Sequence, residues 1–314
     1  MKIRLGYVAL SKTLDDLTTS RTITYTQFEN KGFPYETLYD LVSSNLEALR
    51  QILIYNVKNN IHFYRLTSKL VPLSTHNKVH YDYITPFKDT YKKIGTFIKE
   101  NSMRIDTHPD QFAVLNSTDP RVVRNTGEIL TYHYNILEAL DIKDKIIILH
   151  VGGANFGKKK SMTRFINNFK KLPKHIQECI AIENDDKTFT VEDVLFLSSK
   201  LDIPVVFDYH HFLCNPSPGK LQDILKTVFK TWHEKTPKIH FSSPKSKLKK
   251  EFRAHHDYIN SDTFLSFLDI AKTLNQDLDI MLEAKAKDEA LFRLTREIKY
   301  KRNYIFLDET TFII

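Results

Sequence analysis

Six short stretches of the chain end on a side chain able to bind a metal ion. They are MRIDTH at His108, IIILH at His150, CIAIE at Glu183, PVVFD at Asp208, PKIHF around His240 and DIMLE at Glu283. A strand buried on both faces reads as a near-continuous apolar run, so a ligand at each C-terminal tip would gather all of them on one rim. A carboxylate such as Glu183 or Glu283 at the end of an apolar strand is costly unless a cation, a proton or a hydrogen-bond network meets it. Imidazole and carboxylate together suit Zn, Mn or Fe, and carboxylates shared between ions permit a multinuclear centre. Asp208 and His211 add a D-x-x-H pair just past their strand, and His255 and His256 follow in RAHHDYI, where one is expected to be a ligand and the other a neighbour or a DNA contact.

The elements that must position these residues follow a regular alternation. Strand-like runs lie at 3–10, 61–67, 103–108, 145–150, 178–183, 203–208, 237–241 and 278–283. Helix-like segments lie at 36–59, 85–101, 121–141, 161–174, 190–200, 218–234, 261–275 and 286–299, the last with Ala290, Leu291, Leu294 and Ile298 on one face. Strand and helix alternating eight times is the pattern of a single (β/α)8 TIM barrel, whose active sites lie at the C-terminal ends of the strands. Long loops at 11–35, 68–84 and 241–260 are expected on that same rim, shaping a cleft.

At 314 residues and 41% hydrophobic content the chain can fill one large barrel core. A formal charge of +8 favours a polyanionic partner over a neutral sugar or peptide. The positive charge concentrates at Lys158 to Lys160, Lys245 to Arg253 and Lys299 to Arg302, and the first two clusters follow the strand ends at His150 and His240. Cys179 and Cys214 are the only cysteines and have no metal-type spacing, although a single bridge between them is compatible with the sequence. With no signal-like or membrane-length apolar run, we expect an unprocessed, soluble, cytoplasmic monomer without membrane contact.

The motifs RLTSKLVPLSTH (65–76), DTHPDQFAVLN (106–116), LHVGG (149–153), IENDD (182–186), FDYHH (207–211), KIHFSS (238–243), HHDYI (255–259) and MLEAKAKDEALFRL (281–294) occur in that order. Together they resemble the UV damage endonuclease family, the UvsE/UVDE enzymes, over essentially the whole chain. That family is related in fold and metal centre to the endonuclease IV class. The resemblance implies cleavage of double-stranded DNA immediately 5′ of a UV photoproduct, leaving a 3′-hydroxyl and a 5′-phosphate for excision repair. It implies two or three divalent ions, with Mn2+ foremost and Zn2+, Co2+ or Fe2+ as alternatives. His108, His150 and Glu183 then match ligands of a first ion. Glu183 bridges to a second held by Asp208, His240 and Glu283, and His211 and His255 match ligands of a third. His76 matches a further active-site histidine, and Lys238 a lysine that the family can carry in carboxylated form.

Clustered divalent ions suit phosphodiester hydrolysis, because they lower the pKa of bound water, relieve charge on the phosphate and stabilise the leaving oxygen. For lesion recognition, the family's Gln-Tyr probe pair corresponds to Gln111 and Phe112, which keeps an apolar wedge and drops the hydroxyl. Tyr7 matches a pocket residue, Ser11 stands where relatives can carry Asn, and Lys285 and Lys287 are expected phosphate contacts on the rim. An abasic-site endonuclease of the endonuclease IV type, a metal-dependent sugar isomerase and an inactive DNA-binding barrel are the rival readings.

Overall fold

The computed structural model describes residues 1–314. Eight parallel strands form the barrel: β1 (Lys2–Val8), β2 (Phe63–Leu66), β3 (Arg104–Thr107), β4 (Ile147–His150), β5 (Ile180–Glu183), β6 (Val205–Asp208), β7 (Lys238–Phe241) and β8 (Leu278–Leu282). They pair in sequence order, and β1 closes the ring by pairing with β8 on one side and with β2 on the other, Tyr7 opposite Tyr64 and Val8 opposite Arg65.

Each strand is followed by helix. After β1 come α1 (Tyr25–Asn30) and α2 (Tyr35–Lys58), after β2 comes α3 (Lys88–Glu100), after β3 α4 (Pro120–Ala139), and after β4 α5 (Lys158–Phe169) with the single turn α6 (Lys174–Gln177). Then follow α7 (Val191–Leu201), α8 (Tyr209–Cys214) with α9 (Leu221–Lys230), α10 (Ser261–Ala271) and α11 (Lys287–Lys301). The architecture is the (β/α)8 TIM barrel. Two boundaries are set by capping: Asp119 accepts from the Arg121 amide with Pro120 in the first turn of α4, and Thr190 and Asp193 form a reciprocal capping box at α7. No helix is long and apolar enough to cross a membrane.

Three details depart from the sequence reading. First, the loop expected at 11–35 contains α1, and a further short helix, α8, follows β6, both too short to show a helical period. Second, the chain does not end on α11: β9 (Ile305–Phe306) and β10 (Thr311–Ile313) form a hairpin, with β10 antiparallel to the first half of β1. Because β1 and β2 pair only at their C-terminal ends, the hairpin fills the wedge between them below, where Thr310 donates to the Asn60 carbonyl at 2.6 Å. Third, the continuous apolar run describes β4, β5 and β6, whereas β3, β7 and β8 alternate. Successive side chains of a strand face opposite sides, so Arg104 and Asp106, Lys238 and His240, and Asp279 and Glu283 all face the lumen.

That alternation builds a charged column inside the barrel. At the bottom Arg4 and Arg104 both donate to Asp279, at 2.5 and 2.6 Å. One layer up Lys238 and Arg65 both pair with Asp106, joining β2, β3 and β7 across the lumen. The β4 to β6 side of the lumen is apolar, filled by Ile146, Ile148, Ala181 and Val206 with Trp232 packed against them. Burying ions is unfavourable unless they are paired, so this column positions charge rather than adding stability. Its top layer is the candidate site.

Candidate metal centre and its rim

Glu183 occupies the middle of the site. Its Oε2 lies 3.0 Å from His108 Nε2 and 3.8 Å from His150 Nε2, while its Oε1 lies 2.9 Å from His240 Nδ1 and 3.4 Å from His211 Nδ1. One carboxylate therefore divides its two oxygens between two sets of imidazoles. Three groups of converging donors result: His108, His150 and Glu183; Glu183, Asp208 and His211; and Asp208, His240 and Glu283. Their strands are β3 to β8, which supply the six ligand-type tips read from the sequence.

Local structure fixes several of these side chains. Asp208 ends β6 and caps α8, its Oδ1 accepting from the His211 amide at 2.7 Å, which explains the D-x-x-H spacing. Its other oxygen, Oδ2, is buried without a hydrogen-bond partner. Burial, reinforced by the Glu183 and Glu283 charges, pushes the Asp208 carboxyl up to about 8. Although burial alone would raise Glu183, His240 and His150 hold it well below the usual carboxylate range. Burial lowers His240 to about 4 and lowers His150, favouring the neutral imidazole that ligates metal.

The donor set fits divalent ions. Glu183, Asp208 and Glu283 converge with His108, His150, His211 and His240, the mixture of carboxylate and imidazole that binds divalent first-row ions. Among these donors Asp208 Oδ2 is buried with no hydrogen-bond partner. A divalent cation among these donors would satisfy that oxygen.

Arg65 belongs to the site and was missed by the sequence reading. It donates from Nη1 to Glu283 Oε1 at 2.5 Å, its Nε lies 3.3 Å from Asp106, and its Nη2 abuts His240 Nε2. The strand-like run at 61–67 includes it, but the sequence does not say which face it takes. Only its place on β2, in register with Asp106, turns it inward.

The remaining sequence candidates divide. His255 holds Nδ1 to the Glu283 carbonyl at 2.9 Å and its ring lies 6.3 Å from that of His211, beside the donor groups but in none of them. His256 is occupied locally, its Nδ1 accepting from the Tyr258 amide. His76 stacks on Tyr25 at 4.2 Å and lines a separate cavity of about 410 Å³ with Asp110, His133 and Lys69. Lys238 is fully buried and paired with Asp106, and burial lowers it to about 7. Lys285 is exposed on the rim, while Lys287 is partly buried and, through that burial, lowered. Cys179 and Cys214 are free thiols.

Two expected DNA contacts are corrected by their burial. Tyr7 is enclosed, its hydroxyl donating to Asn56 Oδ1 at 2.7 Å and its ring edge-on to Tyr64. Ser11 is buried too, donating to Asp288 Oδ2 at 2.7 Å and so tying the β1 loop to the start of α11. Neither side chain has a surface to offer a duplex.

Gln111 and Phe112 are the corner residues of a turn in which the Ala113 amide donates to the Asp110 carbonyl at 2.9 Å. Both project from the rim beside His108, and Phe112 is 78% exposed. A cavity of about 490 Å³ opens at the opposite end of the barrel around Arg4 and Arg104, away from this chemistry.

Comparison with known proteins agrees with the geometry. The sequence model of the UV-endonuclease UvdE family matches residues 3–306. A UV DNA damage endonuclease of Bacillus thuringiensis subsp. konkukian (strain 97-27) is 42% identical over 316 residues, 99% of each chain. The crystal structure of SacUVDE superposes with a TM-score of 0.87 at 36% identity, covering 95% of this chain and 99% of that one. Endonuclease IV from Thermus thermophilus, at 10% identity and a TM-score of 0.59 over 95% and 100% of the two chains, shares the fold. With the family match running through all eight barrel strands and the ligand-type residues on their tips, the chain belongs to the UV-endonuclease UvdE family.

Proposed function

We propose that the chain is a UV DNA damage endonuclease that hydrolyses the phosphodiester immediately 5′ of a photoproduct in double-stranded DNA, cyclobutane dimers and 6-4 photoproducts alike, leaving a 3′-hydroxyl and a 5′-phosphate. The observation that carries the reading is the Glu183 carboxylate divided between two donor groups, next to the exposed Gln111-Phe112 turn, in a chain whose curated relatives bear that name. Those relatives are bacterial, so the substrate is chromosomal DNA in the cytoplasm. The protein acts as a monomer.

In this reading His108, His150 and Glu183 hold one divalent ion, and Asp208, His240 and Glu283 a second. His211 belongs to a third position with Glu183 and Asp208, and His255 stands beside it. Mn2+ is the proposed ion, with Zn2+, Co2+ and Fe2+ compatible with the same ligands. When bound, such ions supply a nucleophilic water at neutral pH and Lewis-acid contact to the phosphate and the leaving oxygen. The chain's own residues do the rest. Glu183 fixes the spacing between donor groups, and the Asn184 carbonyl holds His211 Nδ1 at 2.9 Å. Lys285 and Lys287 meet backbone phosphates, and His76 contacts the strand beyond the metal centre. Phe112 enters the duplex as the damaged bases leave the stack; a crosslinked dipyrimidine costs less to unstack than an intact step. For Lys238, the ion pair with Asp106 favours the unmodified amine over a carboxylated form, which would set two anions side by side.

The test is incision of matched UV-irradiated, abasic and undamaged duplexes with Mn2+ present, with the ends mapped. Cutting just 5′ of the photoproduct is the expected result. Cutting at the abasic site alone would move the chain to the endonuclease IV type of activity, with which it shares the fold.

A further inference from the structure

Phe156 is a near twin of Phe112. It is 77% exposed against 78%, and the two are the most exposed aromatic side chains on the rim. Phe112 stands on the loop after β3 and Phe156 on the loop after β4, and these strands are neighbours in the barrel. The ring cannot be explained as core packing.

The two loops are fastened to each other. Asn116 of the first donates to the Gly153 carbonyl of the second at 2.7 Å, and Arg164 of α5 donates to the carbonyls of both Asn116 and Asn155, at 2.8 and 2.6 Å. Gly152, at a φ of +105°, lies so close to Val114 and Asn116 that a Cβ there would collide with both. Ser161 donates to Asn155 at 3.1 Å, and the Gly157 amide to Ala154 at 2.8 Å. The backbone on both sides of Phe156 is thus held, and Phe156 itself takes a φ of +62°, a region that bulky residues avoid. The fold therefore maintains this aromatic outward from a fixed base rather than letting it turn inward.

Charge identifies the partner. Phe156 is followed by Gly157 and by Lys158, Lys159 and Lys160, all exposed; Lys158 reaches Asp193 at 2.7 Å, and the other two ammonium groups have no carboxylate partner. An aromatic platform flanked by free lysines suits a base face bordered by backbone phosphates, and it suits a protein or lipid surface less well.

The geometry points to Phe156 as a second DNA-engaging aromatic, which stacks on or enters a base step separate from the one taken by Phe112, while Lys159 and Lys160 neutralise the adjoining phosphates. This extends the DNA-cleaving reading above and rests on it. Two rigidly coupled aromatics would grip the duplex at two points on one rim, holding the distortion open while the metal centre acts.

The test uses full-length protein and duplexes carrying one photoproduct or one abasic site, with 2-aminopurine placed at successive steps around the lesion. Phe156→Ala is expected to lose the fluorescence change at one flanking step and to raise KM roughly tenfold, the effect of losing one stacked base, with kcat little changed. Phe156→Tyr should restore both. Tyr300→Ala removes a 91% exposed aromatic at the far end of α11 and should behave as wild type. Wild-type fluorescence and KM in Phe156→Ala, on either duplex, would overturn the inference. Failure of wild-type protein to cut the photoproduct duplex would instead overturn the reading it rests on, and the fluorescence on the abasic duplex would still decide the role of Phe156.

Discussion

The Arg65 guanidinium donates to the Glu283 carboxylate over 2.5 Å, so a fixed cation of the chain stands against one side of the donor group that Glu283 forms with Asp208 and His240. The same guanidinium abuts His240 Nε2. Because a guanidinium only donates, that nitrogen must offer its lone pair, which puts the imidazole proton on Nδ1, toward Glu183. Arg65 thus pairs with Glu283 and sets the His240 tautomer, and its positive charge works against a cation at this group.

Arg65→Met should therefore have opposite effects on the metal-free and the loaded protein. Losing one partner of a buried ion pair costs about 3–5 kcal/mol, so the metal-free variant should unfold at markedly lower denaturant. With that positive charge removed from beside the donor group, the ion at Asp208, His240 and Glu283 should bind more tightly. Calorimetric titration of Mn2+ with parallel urea melts measures both. Unchanged affinity would remove Arg65 from any part in metal loading.

Phe112→Ala should reduce discrimination between photoproduct and undamaged duplex more than it reduces overall affinity. The side chain is exposed, so its loss leaves the core untouched. Loss of one stacking or wedge contact is worth about 1–3 kcal/mol on the lesion duplex, and binding to undamaged duplex, governed by phosphate charge, should keep its salt slope. Competition binding at two salt concentrations separates these terms, and equal losses on both duplexes would reduce the residue to a bystander.

Acid should weaken the fold partly through His133, which is buried next to Tyr132 and lowered by that burial to about 3, with His108 adding to the effect. The unfolded chain, with a histidine near pKa 6.5, binds the extra proton that the folded chain refuses between about 6.5 and about 3. The stability contribution is complete above the unfolded value and declines as pH falls through that window. His133→Phe should accordingly lose less stability than wild type between about pH 7.5 and pH 5, read as the shift in urea midpoint. Parallel pH profiles would exclude this histidine as a source of acid lability.

Much of the site was legible because a ligand at a strand end breaks an apolar run, as at His150, Glu183 and Asp208. The eight strands followed from the same runs and from the amphipathic segments between them. What stayed hidden has physical causes. Arg65 and Asp106 face the lumen only because of strand register, and a basic or acidic residue in a short run looks the same whether it points inward or to solvent. Tyr7 and Ser11 sit at the end of β1, where sequence cannot separate a rim from a core position, and hydrogen bonds to Asn56 and Asp288 decide the matter. The terminal hairpin β9–β10 is two short strands after a strong helix, and only the gap between β1 and β2 gives it a place. Phe156 carries no sequence signal beyond an aromatic before Gly157; its exposure appears only once the loops are fastened.

The central claim is that Glu183, shared between donor groups, holds the ions with which the chain cuts DNA at photoproducts. The most direct measurement is single-turnover incision of a duplex carrying one photoproduct by metal-stripped protein as Mn2+ is returned, for wild type and Glu183→Gln, with bound metal counted on the same samples. We expect wild-type incision to vanish on chelation and return with Mn2+, and the variant to bind fewer ions and cut more than about a hundredfold more slowly, with its circular dichroism unchanged. Incision at the wild-type rate by Glu183→Gln, or by chelated wild-type protein, would contradict the account.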